Sequence, residues 1–246
     1  MIDYLRVSIT DRCNLNCLYC KPKERVKILN KKELLSLEEM AKVVRLFASK
    51  GIKKVRITGG EPLLKKNLLK FIEMLKDIKI LEEISLTTNG ILLKNMAFDL
   101  KKAGLNRINI SLDTLKEDRF QLITESEKLL FKDVWDGIME SINAGLNPVK
   151  LNVILIKGIN EDELLDFVNL TIKYPLSIRF IEFLPVNERI RGIKPIPNED
   201  VKHKIELLFG KLIPSTAITG NGPAEYFKVN NSSGSIGFIS SFTKDF

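Results

Sequence analysis

Short β-branched runs alternate with longer amphipathic segments along most of the chain. Strands that alternate with helices form right-handed βαβ units and a parallel sheet. We therefore expect an α/β fold, an incomplete (β/α)6 TIM-like barrel, with ligand groups at the C-terminal ends of its strands. The predicted strands are Tyr4–Thr10, Lys53–Thr58, Glu83–Thr88, Arg107–Leu112, Val149–Leu155 and Ser177–Phe183.

The segments between these strands carry helical periodicity. In the first of them, Ser36 and Glu39 are spaced as a capping box, and Gly51 follows where a helix commonly ends. Further helices are predicted at Leu68–Asp77, Asn95–Ala103, Phe131–Ala144 and Glu161–Ile172.

The alternation stops after Pro185. Beyond it, one more helix is expected at Asn198–Phe209, followed by a short hairpin formed by Glu225–Val229 and Ser235–Ser240. The chain is therefore predicted to divide into a barrel domain, 1–185, and a short α+β extension, 186–246.

Charge and hydropathy exclude several classes of protein. No stretch approaches the roughly 20 apolar residues that span a bilayer, and the N-terminus lacks a signal-peptide pattern, so a cytoplasmic location is expected. The net charge is +8 over 246 residues. The lysines of the chain are scattered along amphipathic helices and do not form the basic and aromatic stripe of a nucleic-acid binder. We expect no nucleic-acid partner and no membrane.

All three cysteines follow the first strand, with C-x3-C-x2-C spacing: Cys13, Cys17 and Cys20. An odd, clustered set is not a disulfide framework and indicates a metal. Structural zinc takes four ligands, and only His203 could complete the set, so a non-catalytic zinc module is one alternative. A [4Fe–4S] cluster usually takes four cysteines. With three, one iron stays open to bind a substrate.

The stretch 5–20, Leu-Arg-Val-Ser-Ile-Thr-Asp-Arg-Cys-Asn-Leu-Asn-Cys-Leu-Tyr-Cys, resembles the N-terminal signature of the GTP 3′,8-cyclase family. This family, also called molybdenum cofactor biosynthesis protein A, belongs to the radical S-adenosylmethionine superfamily. The resemblance continues in order along nearly the whole chain. It implies a lyase with one open-iron [4Fe–4S] cluster on Cys13, Cys17 and Cys20, which cleaves S-adenosylmethionine.

The resemblance also implies a substrate and partners. The family converts GTP to 3′,8-cyclo-7,8-dihydro-GTP, the first step of molybdenum cofactor biosynthesis. A 5′-deoxyadenosyl radical takes hydrogen from C3′ of GTP, and the carbon radical attacks C8 of guanine. The expected partners are GTP, a reductant such as flavodoxin or ferredoxin, cyclic pyranopterin monophosphate synthase downstream in the pathway, and a second copy in a homodimer.

Several motifs match the family's contacts to S-adenosylmethionine. Glycines at a strand end let the backbone approach a ligand closely, and a Gly-Gly-Glu-Pro motif follows the second strand. In the family this motif contacts the methionine amino group, an aromatic residue between the cysteines flanks the adenine, and Leu replaces a frequent Met. The implied contact residues are Tyr19, Gly59, Gly60, Glu61, Ser111 and Leu184.

Cations on three predicted strands match the family's contacts to GTP. A cation inside a barrel is costly unless it is paired, and the arginine fork suits phosphate oxygens. Salt bridges to Asp or Glu are the alternative explanation for such cations. The resemblance implies that GTP contacts Arg6, Arg56, Lys150 and, at the end of the third strand, Thr87.

The family pattern extends beyond Phe246, with a second cysteine triplet that holds a second cluster against the guanine. Three explanations stay open: a fragment of a longer product, a tail supplied by a partner chain, or a single-cluster enzyme with another substrate. The expected alternative function is therefore cleavage of S-adenosylmethionine without unaided cyclisation of GTP.

Overall fold

A computed structural model describes residues 2–20, 34–184, 192–216 and 223–240. The described residues group into two compact units. The first unit comprises residues 2–14, 34–110 and 132–147. The second comprises residues 15–20, 111–131 and the described part of 148–240. In the described part of the chain, no helix is long and apolar enough to cross a membrane.

Strands and helices alternate as the sequence predicts. The strands are β1 (Tyr4–Ser8), β2 (Lys54–Thr58), β3 (Glu83–Thr88), β4 (Arg107–Ser111), β5 (Val149–Ile154), β6 (Leu176–Ile181), β7 (Ile213–Pro214), β8 (Glu225–Lys228) and β9 (Ser235–Ile239). The α-helices are α1 (Leu37–Ser49), α2 (Leu68–Lys76), α3 (Ala97–Ala103), α4 (Glu117–Thr124), α5 (Phe131–Asn143), α6 (Leu164–Lys173) and α7 (Asn198–Phe209). Short 3₁₀ turns lie at Pro62–Leu64, Leu93–Asn95 and Glu161–Glu163.

In the first unit, β1 to β4 pair side by side in chain order, and every pair is parallel. Alternate β2 side chains, Val55 and Ile57, are fully buried. Helices α1, α2 and α3 pack against one another. Burial of apolar side chains from both layers supplies the main stabilisation of such a unit.

The predicted start of α1 is confirmed in detail. The Ser36 hydroxyl accepts a hydrogen bond from the Glu39 backbone N–H at 3.1 Å, and the Glu39 carboxylate accepts one from the Ser36 N–H at 2.7 Å. This reciprocal arrangement satisfies two backbone donors that the first helical turn leaves open. Gly51 follows the helix with φ of 109°, a conformation that glycine adopts without a steric penalty.

In the second unit, the strand order is β5-β6-β9-β8-β7. The predicted hairpin is confirmed as the antiparallel pair of β8 and β9. This hairpin joins the sheet of the unit, because β9 pairs with β6 in parallel. The register runs from the pair Ser177 and Ser235 to the pair Ile181 and Ile239. The last strands therefore extend the sheet that β5 and β6 begin.

The structure differs from the predicted elements in three places. Helix α4 has no counterpart among them, although Phe120 and Ile123 bury one face of it. Two predicted helices begin instead as 3₁₀ turns, Leu93–Asn95 and Glu161–Glu163, before α3 and α6. The predicted domain boundary after residue 185 lies outside the described residues and stays a prediction.

Candidate active site

The predicted cluster ligands lie on the loop that follows β1. None of these three cysteines is in a disulfide; Cys13 and Cys17 are partly buried and Cys20 is exposed. The backbone N–H of Cys20 donates to the Cys17 carbonyl at 3.0 Å, so these two cysteines share one tight turn. Thiolates of this kind are the ligand type that iron–sulfur clusters require, and the donor set fits such a cluster.

The zinc alternative stays a prediction. Its fourth candidate ligand, His203, is exposed on α7.

The Gly-Gly-Glu segment at the end of β2 holds the residues that lead into the cysteine loop. The N–H of Gly60 donates to the Thr10 carbonyl, and the N–H of Glu61 donates to the Arg12 carbonyl, each at 2.7 Å. A Cβ atom on Gly60 would lie 2.2 Å from the Arg12 carbonyl oxygen. This position therefore requires glycine for close backbone approach.

Glu61 is 1% exposed, and its carboxylate organises the end of β3. It accepts hydrogen bonds from the Thr88 hydroxyl at 2.7 Å, the Asn89 N–H at 2.7 Å and the Leu63 N–H at 2.9 Å. Burial raises the pKa of this carboxyl above its usual value, while the Asn89, Leu63 and Thr88 donors oppose the shift. The carboxylate thus joins the ends of β2 and β3.

Two of the predicted GTP contacts lie side by side. Arg6 on β1 and Arg56 on β2 are register partners in the parallel pair, so their side chains project from the same face. Arg6 is exposed, and the Arg56 guanidinium lies over the Tyr4 ring at 5.1 Å from its centre. Thr87 is partly buried near the end of β3, where its hydroxyl accepts a 3.4 Å hydrogen bond from the Asn109 side chain.

In the second unit, residues 15–20 pack against the end of α4. The N–H groups of Asn16 and Leu18 donate to the carbonyls of Thr124 and Ile123, at 3.1 and 2.9 Å. Leu15 is buried. The segment that carries Cys17 is therefore held by backbone hydrogen bonds along one side.

Tyr19, the predicted adenine neighbour, is bound through its hydroxyl to the Asp113 carboxylate at 2.5 Å. Burial raises the pKa of the Tyr19 hydroxyl well above its usual range, and the negative charges of Asp113, Cys17 and Cys20 act in the same direction. Burial also raises the pKa of Asp113 to about 6, against the opposing hydrogen bonds from Tyr19 and Ile154. Tyr19 therefore stays protonated as a donor.

The remaining predicted contacts to S-adenosylmethionine lie at strand ends of the same unit. Ser111 ends β4 and is partly buried, and the next residue, Leu112, donates its N–H to the Asn152 carbonyl on β5 at 3.0 Å. Leu184 follows β6 and is exposed, and its contact with a ligand stays a prediction.

Lys150 on β5 is 1% exposed, which is rare for a lysine. Its ammonium donates to the Tyr226 hydroxyl at 2.9 Å and lies 4.8 Å from the centre of the same ring. Tyr226 lies on β8, and β9 and β6 separate that strand from β5. A Cβ on Gly237 of β9 would come within 2.9 Å of the tyrosine ring. The cation–π contact and the hydrogen bond together stabilise the buried charge.

Two residues of this arrangement, Asp113 and Tyr226, were not predicted from the sequence as site residues. Asp113 could have been, because it lies two residues after Ser111 in the same Ser-Leu-Asp motif at the end of a strand. Tyr226 carried no signal beyond its place in a predicted strand.

Comparison with known proteins identifies the family. Residues 7–171 match the model of the radical SAM superfamily, whose enzymes use a [4Fe–4S] cluster and S-adenosylmethionine. A GTP 3′,8-cyclase of Desulforamulus reducens is 47% identical over 251 residues, covering 100% of this chain and 75% of the relative. One of Thermodesulfovibrio yellowstonii is 49% identical over 98% of this chain and 75% of the relative. The chain thus spans three quarters of the length of these relatives.

Solved structures support the fold. The crystal structure of Streptococcus suis SuiB bound to S-adenosylmethionine matches with a TM-score of 0.65 and 18% identity, over 83% of this chain and 48% of that one. Coproporphyrinogen III oxidase (HemN) from Escherichia coli, a radical SAM enzyme, matches with a TM-score of 0.54 and 16% identity, over 83% of this chain and 51% of that one. The α/β fold of the radical SAM type is thereby confirmed.

The match of the superfamily model includes all three cysteines, and the curated relatives align along nearly the whole chain. This protein is therefore an enzyme of the radical S-adenosylmethionine superfamily and belongs to its GTP 3′,8-cyclase family.

Proposed function

We propose that this chain converts GTP to 3′,8-cyclo-7,8-dihydro-GTP, the first step of molybdenum cofactor biosynthesis, with electrons from a reductant such as flavodoxin or ferredoxin. The observation that carries this proposal is the C-x3-C-x2-C loop after β1 in a chain 47% identical, end to end, to a GTP 3′,8-cyclase. A cytoplasmic location follows from the need for such a reductant.

Cys13, Cys17 and Cys20 are the proposed cluster ligands. When bound, the cluster and S-adenosylmethionine supply reductive cleavage to methionine and a 5′-deoxyadenosyl radical; the chain supplies placement and exclusion of water. Because the N–H groups of Gly60 and Glu61 already bind Thr10 and Arg12, backbone carbonyls of this segment suit the ligand's ammonium group. The other proposed contacts to S-adenosylmethionine are Tyr19, Gly59, Ser111 and Leu184.

The proposed GTP contacts are cations and a hydroxyl on strands. Arg6 and Arg56 present paired guanidinium groups from neighbouring strands, and guanidinium forks bind phosphate oxygens in bidentate fashion. Lys150 adds a buried ammonium, a donor type that binds phosphate oxygens. Thr87 offers a hydroxyl near a strand end for the nucleotide.

Anaerobic reconstitution with iron and sulfide tests the proposal. The loaded chain, given dithionite, S-adenosylmethionine and GTP, is expected to form 5′-deoxyadenosine and the cyclised nucleotide together. A Cys17→Ala variant is the matched control, because it removes one thiolate and should abolish both products.

The two products separate the proposal from its alternative. Release of 5′-deoxyadenosine without a cyclised nucleotide would restrict the chain to cleavage of S-adenosylmethionine without unaided GTP cyclisation. Absence of 5′-deoxyadenosine from a fully loaded cluster would refute the whole proposal.

A further inference from the structure

We propose that Asp113 is a positioning residue for the cluster loop: its carboxylate fixes Tyr19 and thereby fixes the turn that carries Cys17 and Cys20. The inference rests on the proposed function, since it assigns those cysteines to the cluster. It adds to that function a residue whose role is to support the ligands and the adenine-flanking ring without touching the cluster.

The carboxylate of Asp113 joins two segments that are far apart in the sequence. Its Oδ2 accepts the hydrogen bond from the Tyr19 hydroxyl, across 94 positions of the chain. Its Oδ1 accepts a 2.8 Å hydrogen bond from the backbone N–H of Ile154, at the end of β5. Because Asp113 is only 8% exposed, water contributes little to either contact.

The backbone around Asp113 is itself held by a buried side chain. Asn160 is fully buried, and its Nδ2 donates to the carbonyls of Asp113 and Ile154, at 2.5 and 2.8 Å. Its Oδ1 accepts from the Ile156 N–H at 2.6 Å. Asp113 is therefore a fixed support, and Tyr19 takes its position from it.

The loop is held by its backbone and by two of its side chains. Asn16 and Leu18 bind the end of α4 through their N–H groups, and the N–H of Cys20 binds the Cys17 carbonyl. The Asn16 amide donates to the Glu125 carboxylate, and the Tyr19 hydroxyl donates to Asp113. Loss of this bond would leave the turn closed but let the Tyr19 ring and the neighbouring thiols change direction.

A double-mutant cycle tests the proposal. The variants are Tyr19→Phe, Asp113→Asn and the double substitution, with Asp118→Asn, an exposed carboxylate on α4, as the control. Each full-length chain is reconstituted anaerobically and measured for iron content, thermal midpoint, affinity for S-adenosylmethionine, and the electron paramagnetic resonance spectrum of the reduced cluster with and without S-adenosylmethionine. Tyr19→Phe keeps the aromatic ring and loses only the hydroxyl, so it serves even if Asp113→Asn folds poorly.

We expect each single variant to load a cluster as the wild type does. Each should bind S-adenosylmethionine about tenfold more weakly and show a smaller spectral change on its addition, as expected for loss of a charge-assisted hydrogen bond. The double variant should be no worse than the weaker single variant, because both changes remove the same contact. Asp118→Asn should match the wild type.

Three results would overturn the inference: affinities and spectra unchanged in Tyr19→Phe, effects that multiply in the double variant, or a loss confined to the thermal midpoint. The wild type tests the proposed function separately. If it loads a cluster and releases 5′-deoxyadenosine while the variants behave identically, only the role of Asp113 fails; if it does neither, both proposals fail.

Discussion

The Glu61 carboxylate and the Thr88 hydroxyl are joined by a 2.7 Å hydrogen bond that connects the end of β2 to the end of β3. The same carboxylate accepts from the backbone of Asn89 and of Leu63. A residue of the Gly-Gly-Glu-Pro motif thus organises the neighbouring strand end through its side chain, while its backbone holds the start of the cysteine loop.

Glu61→Gln should destabilise the protein by about 1–3 kcal/mol, since an amide nitrogen would replace one acceptor oxygen and face a buried N–H donor. The free energy of unfolding in urea measures the effect. Glu73→Gln, an exposed glutamate on α2, is the control and should change stability little. Equal stabilities of the two variants would show that loss of the acceptor for the Asn89 N–H has no measurable cost.

Gly60→Ala should distort the entry to the cysteine loop. A Cβ 2.2 Å from the Arg12 carbonyl oxygen cannot be accommodated unless one backbone segment moves, and overpacking of this kind typically costs about 1–3 kcal/mol. We expect lower stability and less iron bound per chain after reconstitution. Gly145→Asn is the control, because its φ of 71° suits Asn and no atom lies within 4 Å of the added Cβ. Normal iron uptake by Gly60→Ala would contradict this prediction.

Local patterns accounted for the elements and for the ends of many of them. The capping box at Ser36 is present in both directions, and α7 has the predicted bounds, Asn198–Phe209. Such features depend on residues within one turn of each other, and so the sequence alone determines them. Short α4 was missed because its eight residues span little more than two turns of periodicity.

Contacts between distant residues could not be predicted in the same way. Tyr19 and Asp113 are 94 positions apart, and Lys150 and Tyr226 are 76 apart. Tyr19 lies on a loop and Tyr226 on the antiparallel strand β8, and each meets its partner only through tertiary packing that no local pattern contains. The attachment of β9 to β6 is likewise a matter of pairing that the local pattern of a hairpin does not contain.

The variant Lys150→Met tests whether Lys150 acts in GTP binding or only in the stability of the folded chain. A buried ammonium is costly to desolvate, but its removal leaves the Tyr226 hydroxyl without its donor, so stability should fall by no more than about 1–3 kcal/mol. GTP binding should weaken about tenfold or more, because a charge-assisted contact to phosphate is lost. Titration calorimetry with GTP and urea unfolding measure the two effects.

Lys204→Met, an exposed lysine on α7, is the matched control for this variant. Formation of 5′-deoxyadenosine without GTP should be the same in both. A large loss of stability in Lys150→Met, with GTP affinity retained, would instead assign Lys150 a purely structural role with Tyr226.

The carboxyl of Asp113 should give the cluster-free chain a specific dependence of stability on pH. Burial raises its pKa in the folded state from 3.8 to about 6, so between these values the folded chain binds more protons than the unfolded chain. Stability is then fully present below about pH 4 and falls as the pH rises toward 6, by up to about 3 kcal/mol for a shift of this size. Above that pH both states are ionised and this contribution is constant.

Asp113→Asn removes this titration. Between pH 4 and pH 7, the wild type should therefore lose more unfolding free energy than the variant. The other titrating groups are common to both chains and cancel in this comparison. Urea unfolding of both chains at the two pH values measures it, with Asp118→Asn as the control that retains the wild-type difference. An identical difference in Asp113→Asn and the wild type would mean that the Tyr19 and Ile154 hydrogen bonds offset the burial of the charge completely.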